Sequence, residues 1–205
     1  MYHGEKFNTY SHLVALIIAI ISCIILIVKT AIDENNNTLN IISICIYSAT
    51  LILMYASSTL YHATYNPKLK KIFRYSDHFS IYLLIAGSYT PFTLIKFSKG
   101  WGWSIFGVIW GLAILGIIIE SIKRIEILAM IIYVSMGWLA IIAIKPMITY
   151  LSGTQLLLLI IGGLLYTIGI YWYINDEKIK HGHGIWHIFV ILGSLVQFIC
   201  IYSLV

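Results

Sequence analysis

Apolar residues are concentrated in long runs along this chain, and short polar stretches rich in Lys, Asn, Asp and Gly separate the runs. Each run is about twenty residues long, which is the length of helix needed to cross a hydrocarbon core roughly 30 Å thick. The pattern predicts an all-α integral membrane fold, a bundle of seven transmembrane helices at residues 13–32, 39–61, 77–97, 101–119, 127–144, 155–174 and 185–205. The polar connections are too short for a linker, so we expect residues 1–205 to form a single membrane domain.

Composition strengthens the membrane prediction and narrows the partners. Of 205 residues, 60% are hydrophobic and only 10% are charged, whereas soluble domains carry about 25% charged residues. The net charge of +5 suits either nucleic acid or anionic lipid. Because the basic residues flank apolar runs, we expect membrane lipids as partners and no nucleic acid. The chain is thus predicted to be a multi-pass protein of the plasma membrane, and the sequence makes no prediction of its oligomeric state.

The orientation in the membrane follows from the placement of Lys and Arg in the short loops. With seven spans, 9 of the 13 basic residues lie on the side of the N-terminus and 4 lie on the other side. The positive-inside rule then predicts a cytoplasmic N-terminus and an external C-terminus. The first group is Lys6, Lys68, Lys70, Lys71, Arg74, Lys123, Arg124, Lys178 and Lys180, and the second is Lys29, Lys96, Lys99 and Lys145.

Polar residues at three helix ends are the candidates for chemistry. Ser58 and His62 are four residues apart at the end of the second predicted helix, so they share one helix face. His183 and His187 have the same spacing at the start of the seventh, where two imidazoles on adjacent turns can reach one metal ion. Asp77 begins the third. In the predicted topology all these residues lie at cytoplasmic helix ends, so they are expected to share one site.

Three imidazoles and one open position are typical of a catalytic zinc ion, because structural zinc sites usually have four protein ligands rich in Cys. Other interpretations stay open for single residues. Asp77 alone is expected to be an N-cap, and Ser58 alone to pack between helices. His181 is an alternative ligand to His183 if the last helix begins later. The remaining histidines, namely His3, His12 and His78, are expected to be interfacial residues bonded to water.

These stretches resemble the progestin and adipoQ receptor superfamily, in particular its bacterial hemolysin III branch. The resemblance rests on Ser58-x-x-x-His62, on Asp77 followed by SIYLLIAGSYTPF at 80–92, on His183-x-x-x-His187, and on GEKFNTYSH at 4–12. It implies a seven-helix bundle with a cytoplasmic N-terminus and Zn²⁺ held by His62, His183 and His187. It also implies a water in the fourth position, with Ser58 and Asp77 beside it.

The resemblance implies two classes of function. The first is zinc-dependent hydrolysis of a lipid amide, as in a ceramidase, with Asp77 orienting or deprotonating the water and Ser58 donating a hydrogen bond. The chemistry favours this class, because zinc activates water and polarises a carbonyl. The alternative is a hemolysin or pore-forming protein, or a sensor of membrane state, in which zinc only holds helices together.

Two features of the runs predict helix shape. Pro91 lacks an amide hydrogen inside the third run, so we expect a kink there, with the freed carbonyl bonded by Ser88 or by water. Gly162 and Gly163 are expected to mark a close approach between the sixth helix and another backbone.

Overall fold

The structure is a computed structural model, and it describes residues 4–34, 37–97, 100–123 and 125–205. This part of the chain contains eight α-helices, a π-helical segment at Phe92–Lys96 and a 3₁₀ turn at Trp138–Ile141. The helices are α1 (Lys6–Ile32), α2 (Thr38–Ala63), α3 (Pro67–Pro91), α4 (Gly100–Lys123), α5 (Glu126–Gly137), α6 (Ile144–Tyr150), α7 (Gly153–Ile174) and α8 (Gly182–Tyr202).

In the described part, five helices are long and apolar enough to cross a membrane, namely α1, α2, α4, α7 and α8. The bent pair formed by α5 with its 3₁₀ turn and α6 makes a sixth candidate if it counts as one span. Together these helices establish a multi-pass membrane protein. The remaining predicted span, residues 77–97, corresponds to α3 and the π-helical segment after it, and the first turns of α3 are rich in basic residues.

The start of α3 differs from the prediction of residue 77. The helix begins at Pro67, because the Asn66 side chain accepts hydrogen bonds from the amides of Lys68 and Leu69 and Pro is favourable in a first helical turn. The hydrophobic pattern missed these turns, which are basic rather than apolar. Asp77 therefore lies well inside a helix, and its interpretation as an N-cap is wrong.

The fifth predicted helix is broken. The chain bends by 52° between the segment 126–141 and α6. Pro146 explains the break, since it has no amide hydrogen and is tolerated only in the first turn of a helix. A new helix therefore begins at Ile144, just before this proline.

The third helix changes its hydrogen-bonding pattern at Pro91, where we predicted a kink. The α-helical pattern ends at Pro91 and continues as a π-helix, which closes with a 3.0 Å bond from the Phe97 amide to the Phe92 carbonyl. The role predicted for Ser88 is wrong. Because Pro91 has no amide hydrogen, the carbonyl left free is that of Gly87, four residues earlier. The Ser88 hydroxyl instead donates to the carbonyls of Leu84 and Ile85.

Close helix contacts depend on two glycines. A Cβ at Gly162 would lie only 2.9 Å from Cγ of Gln197, so this glycine lets α7 approach α8, as predicted. Gly163 has no such neighbour and lines a cavity instead, so the prediction for it is wrong. A Cβ at Gly184 would overlap the ring of Phe7, which places the start of α1 directly against the start of α8.

Helix α1 is also joined to α8 at the opposite end of the bundle. The ammonium of Lys29 donates to the carbonyl of Tyr202 at 2.9 Å and lies 3.9 Å from the centre of its ring. Lysine near the end of a helix compensates carbonyls that have no partner within the helix. The first and last helices of the described chain therefore contact each other at both ends.

Candidate metal centre

Three imidazoles meet at one end of the bundle. The ring centres of His62, His183 and His187 form a nearly equilateral triangle with sides of 4.9 to 5.0 Å. Their candidate ligand atoms all lie within 4.8 Å of one another. Three nitrogens bound to one tetrahedral zinc would lie about 3.3 Å apart, so small side-chain rotations bring these rings onto a single ion. The predicted convergence of the three histidines is present.

The local sequence explains how the rings converge. His62 lies in the last turn of α2, and His183 and His187 lie in the first two turns of α8. His181, the alternative ligand, precedes α8 in a left-handed conformation with φ of 61° and is exposed. It is not a member of the cluster.

Each of the three rings is anchored through its Nδ1 atom. His62 Nδ1 lies 2.5 Å from a carboxylate oxygen of Glu5, and His183 Nδ1 lies 3.0 Å from one of Asp176. His187 Nδ1 lies 3.2 Å from the backbone carbonyl of Asn8. Carboxylate and carbonyl oxygens only accept hydrogen bonds, so each Nδ1 carries the proton. All three Nε2 atoms are left with a lone pair, as a metal ligand requires.

The free nitrogens support metal binding. His62 Nε2 is buried and has no hydrogen-bond partner in the described part of the chain. A buried polar atom without a partner is unfavourable by roughly 1–3 kcal/mol, which a bound cation removes. Neutral imidazoles anchored at Nδ1 are the arrangement that zinc sites use, and the donor set therefore fits zinc.

Glu5 connects three helices around His62. Its second carboxylate oxygen accepts a 3.3 Å bond from Lys70 on α3, while the Asn8 amide donates to the oxygen that His62 contacts. Burial raises the pKa of the Glu5 carboxyl, but the hydrogen bonds from His62 and Asn8 and the positive charge of Lys70 lower it more, to about 2. Glu5 is therefore ionised at neutral pH and stabilises the Nδ1 proton of His62.

Ser58 and Asp77 lie beside the histidines. Both side chains line the same cavity as the three rings. A 2.9 Å hydrogen bond from Ser57 to Ser80 joins α2 to α3 at this level, so the adjacent turns with Ser58 and Asp77 face each other. Asp77 is close enough to His62 and His183 for charge interactions. The structure thus brings all five predicted site residues together, while the chemical roles of Ser58 and Asp77 stay predictions.

Of the three histidines expected at the interface, His3 lies outside the described residues. The prediction for His12 is wrong, because its side chain is 3% exposed and its ring stacks on that of His187, with centres 3.6 Å apart. Neither ring nitrogen of His12 has a hydrogen-bond partner in the described part. The prediction for His78 is also wrong, because its Nδ1 lies 2.5 Å from a carboxylate oxygen of Glu120 on α4.

Sequence reasoning missed the residues that hold the rings, namely Glu5, Asn8, Ser11, His12 and Asp176. A signal for the first four was present. Positions 5, 8 and 12 recur at helical spacing and form one polar stripe at the start of an otherwise apolar helix. Burying such a stripe is favourable only against polar partners.

A cavity of about 990 Å³ begins at the metal centre and extends along α8. Its walls are mainly aliphatic and aromatic side chains of α3, α5, α7 and α8. Helix α5 packs against α3 and α4, whereas α7 packs against α8. The cavity therefore lies between two packed groups of helices, with the polar cluster at one end.

The fold and the site define a multi-pass membrane protein with a buried group of three histidines. A family model described as "Haemolysin-III related" matches residues 1–198, and the chain belongs to this family. It is 39% identical to "Hemolysin-3" of Bacillus cereus over 96% of this chain and 90% of that protein. It is 38% identical to "Hemolysin-3 homolog" of Bacillus subtilis (strain 168), over 96% and 92%.

A more distant similarity reaches eukaryotes. The human "Monocyte to macrophage differentiation factor" is 26% identical over 77% of this chain and 68% of that protein. The resemblance inferred from the sequence motifs, to the hemolysin III branch of the progestin and adipoQ receptor superfamily, is thus confirmed.

Proposed function

We propose that this protein is a zinc-dependent hydrolase that cleaves the amide bond of a membrane lipid, as a ceramidase does. One observation carries the proposal. Three imidazoles with free Nε2 atoms converge beside Asp77 and Ser58, at the end of a mainly apolar cavity of about 990 Å³. A site that only held helices together would need neither an adjacent carboxylate nor a cavity.

The proposal includes an arrangement in the membrane. Helix α3 also crosses the membrane, which brings the number of spans to seven. The N-terminus is cytoplasmic, the C-terminus is external, and the protein lies in the plasma membrane. The 9 to 4 distribution of Lys and Arg supports this orientation. A cysteine at Glu34 should then react with a membrane-impermeant thiol reagent in intact cells, whereas one at Lys68 should not. The reverse pattern would overturn the orientation.

Zinc, when bound by His62, His183 and His187, lowers the pKa of water to about 7 and polarises a carbonyl group. Asp77 orients the attacking water, accepts its proton, and returns that proton to the amine nitrogen as the C–N bond breaks and the amine leaves. Ser58 donates a hydrogen bond to the carbonyl oxygen as negative charge develops on it. Glu5, Asp176 and the Asn8 carbonyl keep the three rings in the required tautomer.

The cavity supports a lipid substrate. An acyl chain fits its aliphatic walls, because apolar pockets of 300–1,000 Å³ typically bury most of a ligand of that size. Helices α5 and α7 line the cavity but pack against different neighbours. This arrangement supports entry of the chain from the lipid phase between them.

The decisive experiment measures metal content and fatty-acid release on the same purified protein in detergent. We expect about one zinc per chain and release of fatty acid from at least one member of a ceramide panel, while Asp77→Asn retains zinc and releases none. Stoichiometric zinc without release from any ceramide would contradict hydrolysis.

A second candidate function comes from the printed name of the Bacillus cereus relative, "Hemolysin-3". If the Asp77→Asn protein lyses intact erythrocytes at the wild-type rate, a haemolytic activity with a structural metal would be favoured. Lysis that disappears with Asp77→Asn would attribute it to altered lipids.

A further inference from the structure

The chain has two glutamines, and both are half-buried. They differ in their hydrogen bonds. Gln155, at the start of α7, has partners for both ends of its amide. Its amide nitrogen donates to Ser203, and its oxygen accepts from the amide of Ser152. Gln197, on α8, is half-buried, lines the cavity, and has no hydrogen-bond partner among the described residues.

Gln197 lies at the end of the cavity remote from the metal centre. Ten residues separate it from His187 on the same helix, which corresponds to about 15 Å at 1.5 Å per residue. This is about half of a hydrocarbon core roughly 30 Å thick. An acyl chain of medium length, such as a lauroyl chain, that begins at the histidines therefore ends near Gln197, whereas a palmitoyl chain extends past it.

The side chain of Gln197 is directed across α7. Gly162 has no side chain, and Cγ of Gln197 occupies the space where a Cβ would lie. The surrounding cavity wall is aliphatic, with Leu156, Leu159 and Ile160 from α7. The amide is thus a polar group in a mainly aliphatic section of the cavity.

We propose that Gln197 sets the maximum length of the chain that this cavity accepts. The inference rests on the proposed lipid function and adds a specificity determinant to it. An alkyl chain that extends past Gln197 displaces water from the amide and leaves its donors and acceptor without partners. A chain that ends before Gln197 leaves the amide hydrated. The difference corresponds to about a fivefold or larger preference for the shorter chain.

The test measures binding, so it does not depend on turnover. Purified wild-type, Gln197→Leu and Gln155→Leu proteins, stripped of metal, are each incubated with a mixture of N-octanoyl, N-palmitoyl and N-lignoceroyl sphingosine, and the retained lipids are quantified by mass spectrometry. We expect wild type and Gln155→Leu to retain the octanoyl lipid, whose chain ends before Gln197, at least fivefold over the palmitoyl and lignoceroyl lipids, whose chains extend past it. Gln197→Leu should lose this preference for the octanoyl lipid.

A terminal hydroxyl group provides the complementary probe. A lauroyl chain hydroxylated at its end should bind wild type better than the unmodified lauroyl chain, because its hydroxyl reaches the amide, and this gain should be absent in Gln197→Met. The methionine side chain keeps the shape of glutamine, so loss of folding is not the cause if thermal stability is unchanged.

Two results would overturn the inference and are distinguishable. If Gln197→Leu retains lipids with the wild-type length profile, Gln197 does not limit chain length, and the proposed hydrolase function stands. If wild type retains no N-acyl lipid of any length, the lipid function fails together with the length limit.

Discussion

Among the residues that the structure describes, two clusters pair a histidine with a carboxylate, and they look alike at first. In the metal centre, His62 Nδ1 lies 2.5 Å from Glu5, and in a second cluster between α3, α4 and α5, His78 Nδ1 lies 2.5 Å from Glu120. The second cluster, however, has a single imidazole. A carboxylate bonded to Nδ1 therefore does not identify a metal site by itself. A metal site is indicated when the Nε2 atoms of several histidines converge with their lone pairs free.

The two clusters also differ in whether their polar atoms have hydrogen-bond partners. The second oxygen of Glu120 accepts a 3.3 Å bond from Tyr133, whose hydroxyl also lies 3.1 Å from the His78 carbonyl. These bonds join α3, α4 and α5 through groups that satisfy one another. In the metal centre, by contrast, His62 Nε2 is left without a partner. We interpret the second cluster as a structural hydrogen-bonded cluster, and the following changes test the distinction.

The largest effect is expected from removing one ring of the triangle. His187→Ala leaves two imidazoles, so zinc affinity should fall by more than the roughly 100-fold typical of an outer partner, and any hydrolysis should disappear. His78→Ala is the matched control and should keep its zinc. Metal analysis of the purified variants checks both. Stoichiometric zinc in His187→Ala would refute the assignment of the metal centre.

Replacing the carboxylate beside the rings should separate binding from chemistry. Asp77→Asn should retain zinc at saturating metal, while hydrolysis falls by roughly 10² to 10⁴, the usual contribution of a general base. Fatty-acid release and zinc content are measured on the same sample. Loss of the metal instead would make Asp77 a ligand.

The two anchoring carboxylates should respond differently to neutralisation. Glu5→Gln should weaken zinc binding by about 10- to 100-fold, because it removes the acceptor that fixes the His62 tautomer. Glu120→Gln should leave zinc affinity unchanged and lower thermal stability. Competition with a chelator of known affinity gives the first quantity, and a melting curve gives the second. Equal zinc affinities for the two variants would contradict the assignment of Glu5, and not Glu120, to the metal centre.

The smallest effect is expected at Ser58. Ser58→Ala removes one neutral hydrogen bond worth roughly 0.5–1.5 kcal/mol, so hydrolysis should slow by only a few-fold, with zinc content unchanged. Steady-state rates on the best ceramide substrate measure the change. A loss as large as that of Asp77→Asn would assign Ser58 a direct part in the chemistry.

Much of the architecture could be predicted because membrane helices carry their signal locally. Long apolar runs identified α1, α2, α4, α7 and α8, and the four-residue spacing of His183 and His187 identified one side of the site. The start of α3 was missed because capping by Asn66 and Pro67 outweighs hydrophobicity there. The break before Pro146 was missed because the apolar run continues through it.

The anchors of the rings could not be predicted in the same way. Glu5 is 57 residues from His62 in sequence, and nothing in the spacing of either residue specifies the other. Their contact depends on how tightly α1 packs against α2 and α8. His12 was misjudged for the same reason, since a histidine near a helix start meets water unless another helix covers it.

The packing of α1 against α8 has a consequence for biosynthesis. Helices are synthesised from the N-terminus onward, so α1 and its polar stripe enter the membrane long before α8 exists. Two of the three rings are on α8, and the Asn8 carbonyl on α1 that anchors His187 has no imidazole to contact until α8 arrives. A nascent chain lacking α8 can therefore neither hold the metal nor close the bundle, so metal binding distinguishes chains that include α8 from chains interrupted before it.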